Sequence, residues 1–177
     1  MPESFEQWMA WGEIPAAELE GKIQRLGVNF GAPGDRRTRD GTLWLDYPSV
    51  GGPSPEISVK TIPAKPEFAY RHSIWMKPSK EVWPWVASSL AKNLESLTIG
   101  GFKPGSYDVR LTFVGTSRDF EVKINGQSVA ISLKLGETES SIAKLSSVEI
   151  ERDLSVEFTS AVSLAGIEVV SEEPRQT

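Results

Sequence analysis

From Tyr107 onward the chain repeats one pattern: an apolar residue at every second position, then a turn. Tyr107, Val109, Leu111 and Phe113 alternate with Asp108, Arg110 and Thr112, and Phe120, Val122 and Ile124 alternate with Glu121, Lys123 and Asn125. A two-residue period places all the apolar side chains of a segment on one face of an extended strand, so each run predicts a half-buried strand. Gly115–Arg118 separates the two runs. Asn125-Gly126 then supplies two residues that tolerate positive φ, as a type I′ hairpin turn requires, ahead of Val129, Ile131 and Leu133. The three runs predict a three-strand meander. After a polar break at Gly136–Ser141 the pattern resumes at Val148 and Ile150, at Leu154, Val156 and Phe158, and at Ile167 and Val169. An α/β fold would need helical segments of about ten or more residues between strands, and none is present here. The expected fold is all-β, a two-sheet antiparallel β-sandwich with one or two short N-terminal helices.

Those helices rest on helical spacing. Phe5, Trp8 and Met9 follow a Ser-x-x-Gln capping pattern at Ser4, and Leu19, Ile23 and Leu26 recur along Ala16–Leu26. Residues 1–26 are therefore expected as a helical extension packed on the sandwich, 27–172 as the sandwich, and 173–177 as a disordered tail. A length of 177 residues suits one such domain. No run approaches the roughly 18 apolar residues that span a bilayer, so no membrane segment is expected. With a net charge of −5, and with Arg36, Arg37 and Arg39 interleaved with Asp35 and Asp40, the chain lacks the basic footprint that nucleic acid requires.

Composition removes several chemistries. The absence of cysteine excludes disulfides, thiolate catalysis and Cys-based zinc sites. His72 is the single histidine, too few for the common zinc sets, and no Gly-x-Ser-x-Gly elbow accompanies it. Gly31-Ala-Pro-Gly34 lacks the Gly-Lys ending of a phosphate loop, and no pair of carboxylates is singled out for glycoside hydrolysis. The expectation is a non-enzyme. No cofactor is expected beyond a structural calcium ion held by Asp and backbone carbonyls, although 35–46 lacks the EF-hand pattern.

Residues 27–66 are rich in Gly and Pro and read as long ordered loops around short strands such as Thr42–Asp46. Such loops carry binding residues more often than the elements they join. Sugar recognition needs a flat aromatic face for the C–H side of the ring and polar groups for the hydroxyls. Trp44, Asp46 and Tyr47 supply these in one segment, and Tyr70, Arg71, His72 and Trp75 in another, with Asn29, Asp35 and Asp40 near in sequence. The competing reading is that Trp44 and Tyr70 pack and that Asp46 is a turn acceptor. Convergence of Trp44, Tyr47, Tyr70 and Trp75 on an open surface would separate the two. Trp83-Pro84-Trp85 is expected as an extended segment, either an exposed platform or a strand entry with Trp85 buried under Val86.

Three pieces occur in a familiar order. They are Gly27-Val-Asn29-Phe-Gly31 followed by Asp40-Gly41-Thr-Leu-Trp44-Leu-Asp46-Tyr47; Phe68-Ala-Tyr70-Arg71; and Gly105-Ser-Tyr107-Asp-Val109-Arg110-Leu111-Thr-Phe113 with Arg118-Asp-Phe120-Glu-Val122-Lys-Ile124-Asn125-Gly126 and Ala165-Gly166-Ile167-Glu-Val169. This order resembles the malectin-like, galactose-binding-like carbohydrate-binding β-sandwiches, over about Gly27 to Val170. Gly-Ala-Pro-Gly-Asp-Arg-Arg with Leu-Trp-Leu-Asp-Tyr-Pro resembles the kind found at the C-terminus of bacterial quinoprotein-like β-propeller proteins. The resemblance implies a jelly-roll fold and a non-catalytic carbohydrate-binding module of a larger, exported bacterial protein. Its partners would be carbohydrate or the other domains of the parent chain. The alternative is a structural or protein-interaction module docking onto a β-propeller or another chain. Only Gly115–Ser117 precede Arg118, where family members often carry a longer loop, so a pocket walled by that loop would be shallow here.

Overall fold

A computed structural model of the chain describes residues 23–32, 36–38, 40–48 and 57–172. Their strands are β1 (Arg25–Phe30), β2 (Arg36–Arg37), β3 (Leu43–Tyr47), β4 (Val59–Ile62), β5 (Glu67–Tyr70), β6 (Ser89–Ile99), β7 (Gly105–Val114), β8 (Ser117–Ile124), β9 (Gln127–Lys134), β10 (Ser140–Ile150) and β11 (Leu154–Ser171). Between β5 and β6 lie a 3-10 turn (Ser73–Trp75) and a single helical turn, α1 (Pro84–Ala87).

One layer runs β10-β7-β11-β1-β3-β2. The other is built on β6 and β8, with β9 beside β8 and with β4 and β5 along successive parts of β6. β11 belongs to both layers. Its Leu154–Glu157 segment pairs with β6 and its Val156–Phe158 segment with β8. The β6 register then shifts between Glu157 and Val162, and beyond Leu164 the strand pairs with β7 and β1. Such irregularities bend a strand and let it turn a sandwich corner.

The all-β sandwich is as the alternation predicts, with three local differences. β3 runs parallel to β1, with Gly27 opposite Trp44, because the antiparallel β2 reverses the chain before β3 begins. β7 and β8 do not pair, so there is no three-strand meander: β7 lies between β10 and β11, and β8 between β9 and β11. Gly115, at φ +59°, turns the chain from one layer into the other, and Phe113 meets Phe120 edge-on across the core with centroids 5.4 Å apart. Only β8 and β9 form the predicted hairpin, with Asn125 and Gly126 at φ 44° and 88°. Leu26 lies in β1 rather than at a helix end: Leu26, Val28 and Phe30 enter the main core at every second position, as one face of a strand does. Residues 1–22 and 173–177, where the helices and the tail are expected, lie outside the described residues.

Two apolar clusters follow. The main core fills the space between the layers, with Phe30, Leu97, Phe102, Tyr107, Leu111, Phe113 and Ile167 among its fully buried members. A smaller cluster of Trp44, Met76, Val82, Val86, Ala87, Leu90, Val114 and Ala165 lies apart from it. There the β5–β6 connection, residues 71–88, is pinned over the far face of the β7-β11-β1-β3 layer. Each fully buried Val or Leu contributes roughly 1.5–3 kcal/mol, enough to hold a connection that has little regular structure.

Candidate functional site

The β5–β6 connection is ordered by local bonds as well as by burial. His72 caps the 3-10 turn, its Nδ1 accepting from the Ile74 amide at 3.2 Å. Pro84 stands at the start of α1, where its missing N–H costs nothing, and the amides of Val86 and Ala87 donate to the Trp83 carbonyl. The Lys77 amide donates to Thr138 at 2.9 Å and ties the connection to the β9–β10 loop.

Under this connection is a cleft. Glu81, Val82, Trp83 and Val86 roof it, and Asp40, Trp44, Arg110, Thr112, Ile142 and Glu168 from the sheet face form its floor. A polar chain runs across that floor. Glu168 on β11 stands directly opposite Arg110 on β7, 3.3 Å from its guanidinium, and accepts from the Thr42 hydroxyl at 2.7 Å. The same hydroxyl accepts from Arg25 Nε at 2.6 Å, and Arg25 pairs with Asp40 at 3.3 Å. The Glu168 side chain is 5% exposed, and a carboxylate that buried costs several kcal/mol unless it is paired and hydrogen-bonded. Arg110 and Thr42 meet that requirement. Partial burial acts to raise the Asp40 pKa, but hydrogen bonds from Thr38 and Thr42 and the charge of Arg25 outweigh it and hold the carboxyl below its ordinary value.

Trp44 is 4% exposed and lies on the cleft floor across Gly27. A β-carbon on Gly27 would stand 2.4 Å from its Cδ2, and one on Gly166 would stand 3.0 Å from its Cζ3. The indole needs glycine at both positions. Trp85 meets Trp44 edge-on at 5.8 Å and stacks on Trp83 at 6.4 Å with 25° between the planes. Trp83-Pro84-Trp85 is thus no extended segment: the proline initiates a helical turn, which brings the two indoles together and leaves Trp83 43% exposed at the cleft mouth.

The residues expected to bind ligand divide into separate places. Asp40 reaches the cleft. Trp44 reaches it too, but as a buried floor rather than an open ring, because the flat glycine surface and the connection enclose it. Asn29 is buried. The amide atom 3.0 Å from the Ala165 carbonyl and 3.1 Å from that of Val86 is its nitrogen, since only a donor is favourable there, so Asn29 ties β1 to α1 and β11. Asp46 is buried on β3, and Tyr47 is half-buried against Phe30 and Phe68. Tyr70 is exposed at the end of β5, and at the start of the connection His72 and Trp75 are exposed and Arg71 half-buried. Asp35 lies outside the described residues. Trp44, Tyr47, Tyr70 and Trp75 therefore do not converge on one concave surface.

The reading of the sequence passed over Arg110, Thr112, Glu168 and Glu81. The signal was present in part: Arg110 and Thr112 occupy the polar positions of an alternating strand. Alternation does not reveal that the β5–β6 connection roofs this polar face. Among the described residues no three His, Asp or Glu side chains cluster as a metal set, and no helix is long and apolar enough to cross a membrane.

No protein-family profile matches the chain, and no curated protein sequence matches it. Solved structures do. The chain is similar to a beta-glucuronidase of Bacteroides uniformis at 18% identity and a TM-score of 0.62, over 90% of this chain and 19% of that one. It is similar to the ANXUR2 extracellular domain of Arabidopsis thaliana at 12% identity and a TM-score of 0.58, over 86% and 49%. A structure of the plant receptor-like kinase ANX2 gives 12% identity and a TM-score of 0.56, over 86% and 51%. The chain thus spans about a fifth of the glucuronidase and about half of each plant chain. At these identities the likeness shows the fold alone, that of a β-sandwich domain recurring within longer carbohydrate-related or extracellular proteins.

Proposed function

We propose that the chain is a non-catalytic carbohydrate-binding module of a larger protein, holding its sugar at the mouth of the cleft beneath the β5–β6 connection. One observation carries this reading: the half-exposed Trp83 ring stands at the lip of a cleft lined by Arg110, Thr112 and Glu168. It pairs an apolar ring face for the C–H side of a sugar with polar groups for hydroxyls. The acidic groups of the floor are engaged as structural partners, Asp40 with Arg25 and Glu168 with Arg110, which does not match the separate acid and base of a glycosidase. The test is a glycan array followed by titration with gluco- and galacto-oligosaccharides at millimolar concentration. Binding that weakens about tenfold or more in Trp83→Ala, roughly 1.4 kcal/mol, supports the module. Failure to bind any glycan removes it.

A second reading, a module that docks on another domain of its parent chain, is favoured by a different observation. Ile74 and Trp75 are 79% and 69% exposed on a turn fixed by His72, next to the exposed Tyr70. Large apolar side chains gathered on one exposed turn mark docking surfaces. Loss of inter-domain binding in Ile74→Ser/Trp75→Ser, with glycan binding intact, assigns this turn to a protein partner. Unchanged inter-domain binding rejects the assignment.

A further inference from the structure

A strand at the edge of a sheet carries a row of unpaired N–H and C=O groups, and folded proteins blunt such edges. Among the described residues, four edge strands are blunted. β2 has two residues, and β4 and β5 have four each, carry Lys60 and Glu67, and lie along separate parts of β6. β10 is interrupted between Leu145 and Val148, where Ser147 has φ 57° and gives its amide to Glu172. β9 is different. It pairs with β8 alone, in unbroken register from Gln127 to Lys134, and its eight residues include no proline, no glycine and one charge, Lys134 at the end.

The pairing decides which groups are free. In a hairpin closed by two residues the flanking Ile124 and Gln127 exchange bonds, so every second residue from Gln127 onward faces β8. The Leu135 amide, which donates to Thr116 at 3.0 Å, keeps that phase. Ser128, Ala130, Ser132 and Lys134 therefore turn their N–H and C=O groups outward. Between them Val129, Ile131, Leu133 and Leu135 pack on the main core yet stay half-exposed along the same rim.

Charge on the outer face identifies the occupant. Asp119 and Glu121 on β8 stand opposite Ser132 and Ala130, and the four line an open hollow that the small alanine leaves unfilled. Asp119 accepts from the Ser132 hydroxyl, but neither carboxylate has an ion pair among the described residues. Nor has Lys134.

We propose that β9 is a self-association edge, at which two copies of this chain join β9 to β9 antiparallel about a two-fold axis at Ser132. That register makes about six backbone hydrogen bonds through the outward groups of Ala130, Ser132 and Lys134. It sets Ile131 opposite Leu133 of the second copy and Val129 opposite Leu135 of the second copy, which covers the apolar rim. Ala130 then faces Lys134 of the second copy, whose ammonium reaches Glu121 over the alanine methyl, about two strand spacings or ~10 Å between backbones. Symmetry repeats the pair. An axis at Ile131 would instead bring Lys134 of the second copy across Ser128 from Lys123, a like charge. So short an edge buries less than the roughly 1,200 Å² of a stable interface, so the association is weak.

Sedimentation equilibrium of the whole chain from roughly 10 µM to 1 mM tests this, and a reversible dimer is expected. Lys134→Glu and Glu121→Lys are each expected to weaken it by about fivefold or more, and the double variant to return within about twofold of wild type. Ala130→Pro removes an outward N–H and no bond to β8, and is expected to leave the chain monomeric with its sheet circular dichroism unchanged. A monomer throughout that range overturns the proposal and leaves the edge to a strand of another protein. A dimer that tolerates Ala130→Pro, or that the double charge reversal does not restore, overturns it as well. The charge series decides alone if the proline variant does not fold.

Discussion

The indole of Trp44 lies so close over Gly27 that a single methyl group on the glycine would stand 2.4 Å from Cδ2. The nearest ring atoms belong to a buried side chain with no room to swing away, so the strain is not relieved locally. Gly27→Ala is expected to lower stability by about 1–3 kcal/mol, a fall in Tm of roughly 3–10 °C for a chain of this size. The double variant Gly27→Ala/Trp44→Leu should lose less than the sum of the two single changes, since the leucine relieves the alanine's clash and the added methyl fills part of the space the indole leaves. Thermal melts of the four proteins check this, and strict additivity would mean the contact is not the source.

Asn29 supplies a second expectation. Its amide nitrogen serves the carbonyls of Val86 and Ala165, joining a strand to the helical turn of the β5–β6 connection. Asn29→Ala strands buried carbonyls at a cost of about 1–3 kcal/mol. The loss should appear in urea denaturation, with faster hydrogen exchange in residues 85–88. Wild-type stability in Asn29→Ala would show that other groups take over the contacts.

Glu168 tests the polar chain. Glu168→Gln keeps a hydrogen bond with Thr42 and loses the charge, whereas Glu168→Ala loses both. Arg110 is partly open to water and recovers some solvation, so the alanine variant is expected to cost about 2 kcal/mol and the glutamine variant less than half of that. Equal losses in denaturation midpoint would assign the whole effect to the ion pair.

Asp40 gives a pH dependence. Its folded pKa lies below the ordinary aspartate value, so the folded state binds the proton more weakly than the unfolded chain does. The stabilisation is fully present above about pH 4, near the unfolded value, and is lost as pH falls through the lower folded value. The side chain is 42% exposed, so solvent screening keeps the effect below about 1 kcal/mol. Asp40→Asn should flatten the stability profile below about pH 4 relative to wild type. An unchanged profile would place the acid sensitivity elsewhere.

What could be read from the sequence was what neighbouring residues decide. Asn125-Gly126 determines its own turn, and β8 and β9 pair as expected because two adjacent strands and a two-residue loop admit one register. Phe113 and Phe120 show the limit. Alternation assigns each to a buried face, but two strands facing one core satisfy it equally well side by side or in opposite layers, and Gly115 selects the second. The site was less legible still. Glu168 and Arg110 are 58 residues apart and meet only because β11 inserts between β7 and β1. Trp44 was legible as an aromatic, but its burial depends on Gly166, more than a hundred residues away.

The 18 residues of β11 are hydrogen-bonded into one layer by their first half and into the other by their second. A single backbone is therefore the seam of the sandwich, and neither sheet can peel away while the other stays zipped. Opening β6 from Leu154–Glu157 loosens the anchor of the same strand that carries Glu168 to Arg110. Among the described residues neither layer is a detachable half, so the two are expected to melt as one cooperative unit, with the slowest-exchanging amides of β6 and β7 sharing one opening free energy.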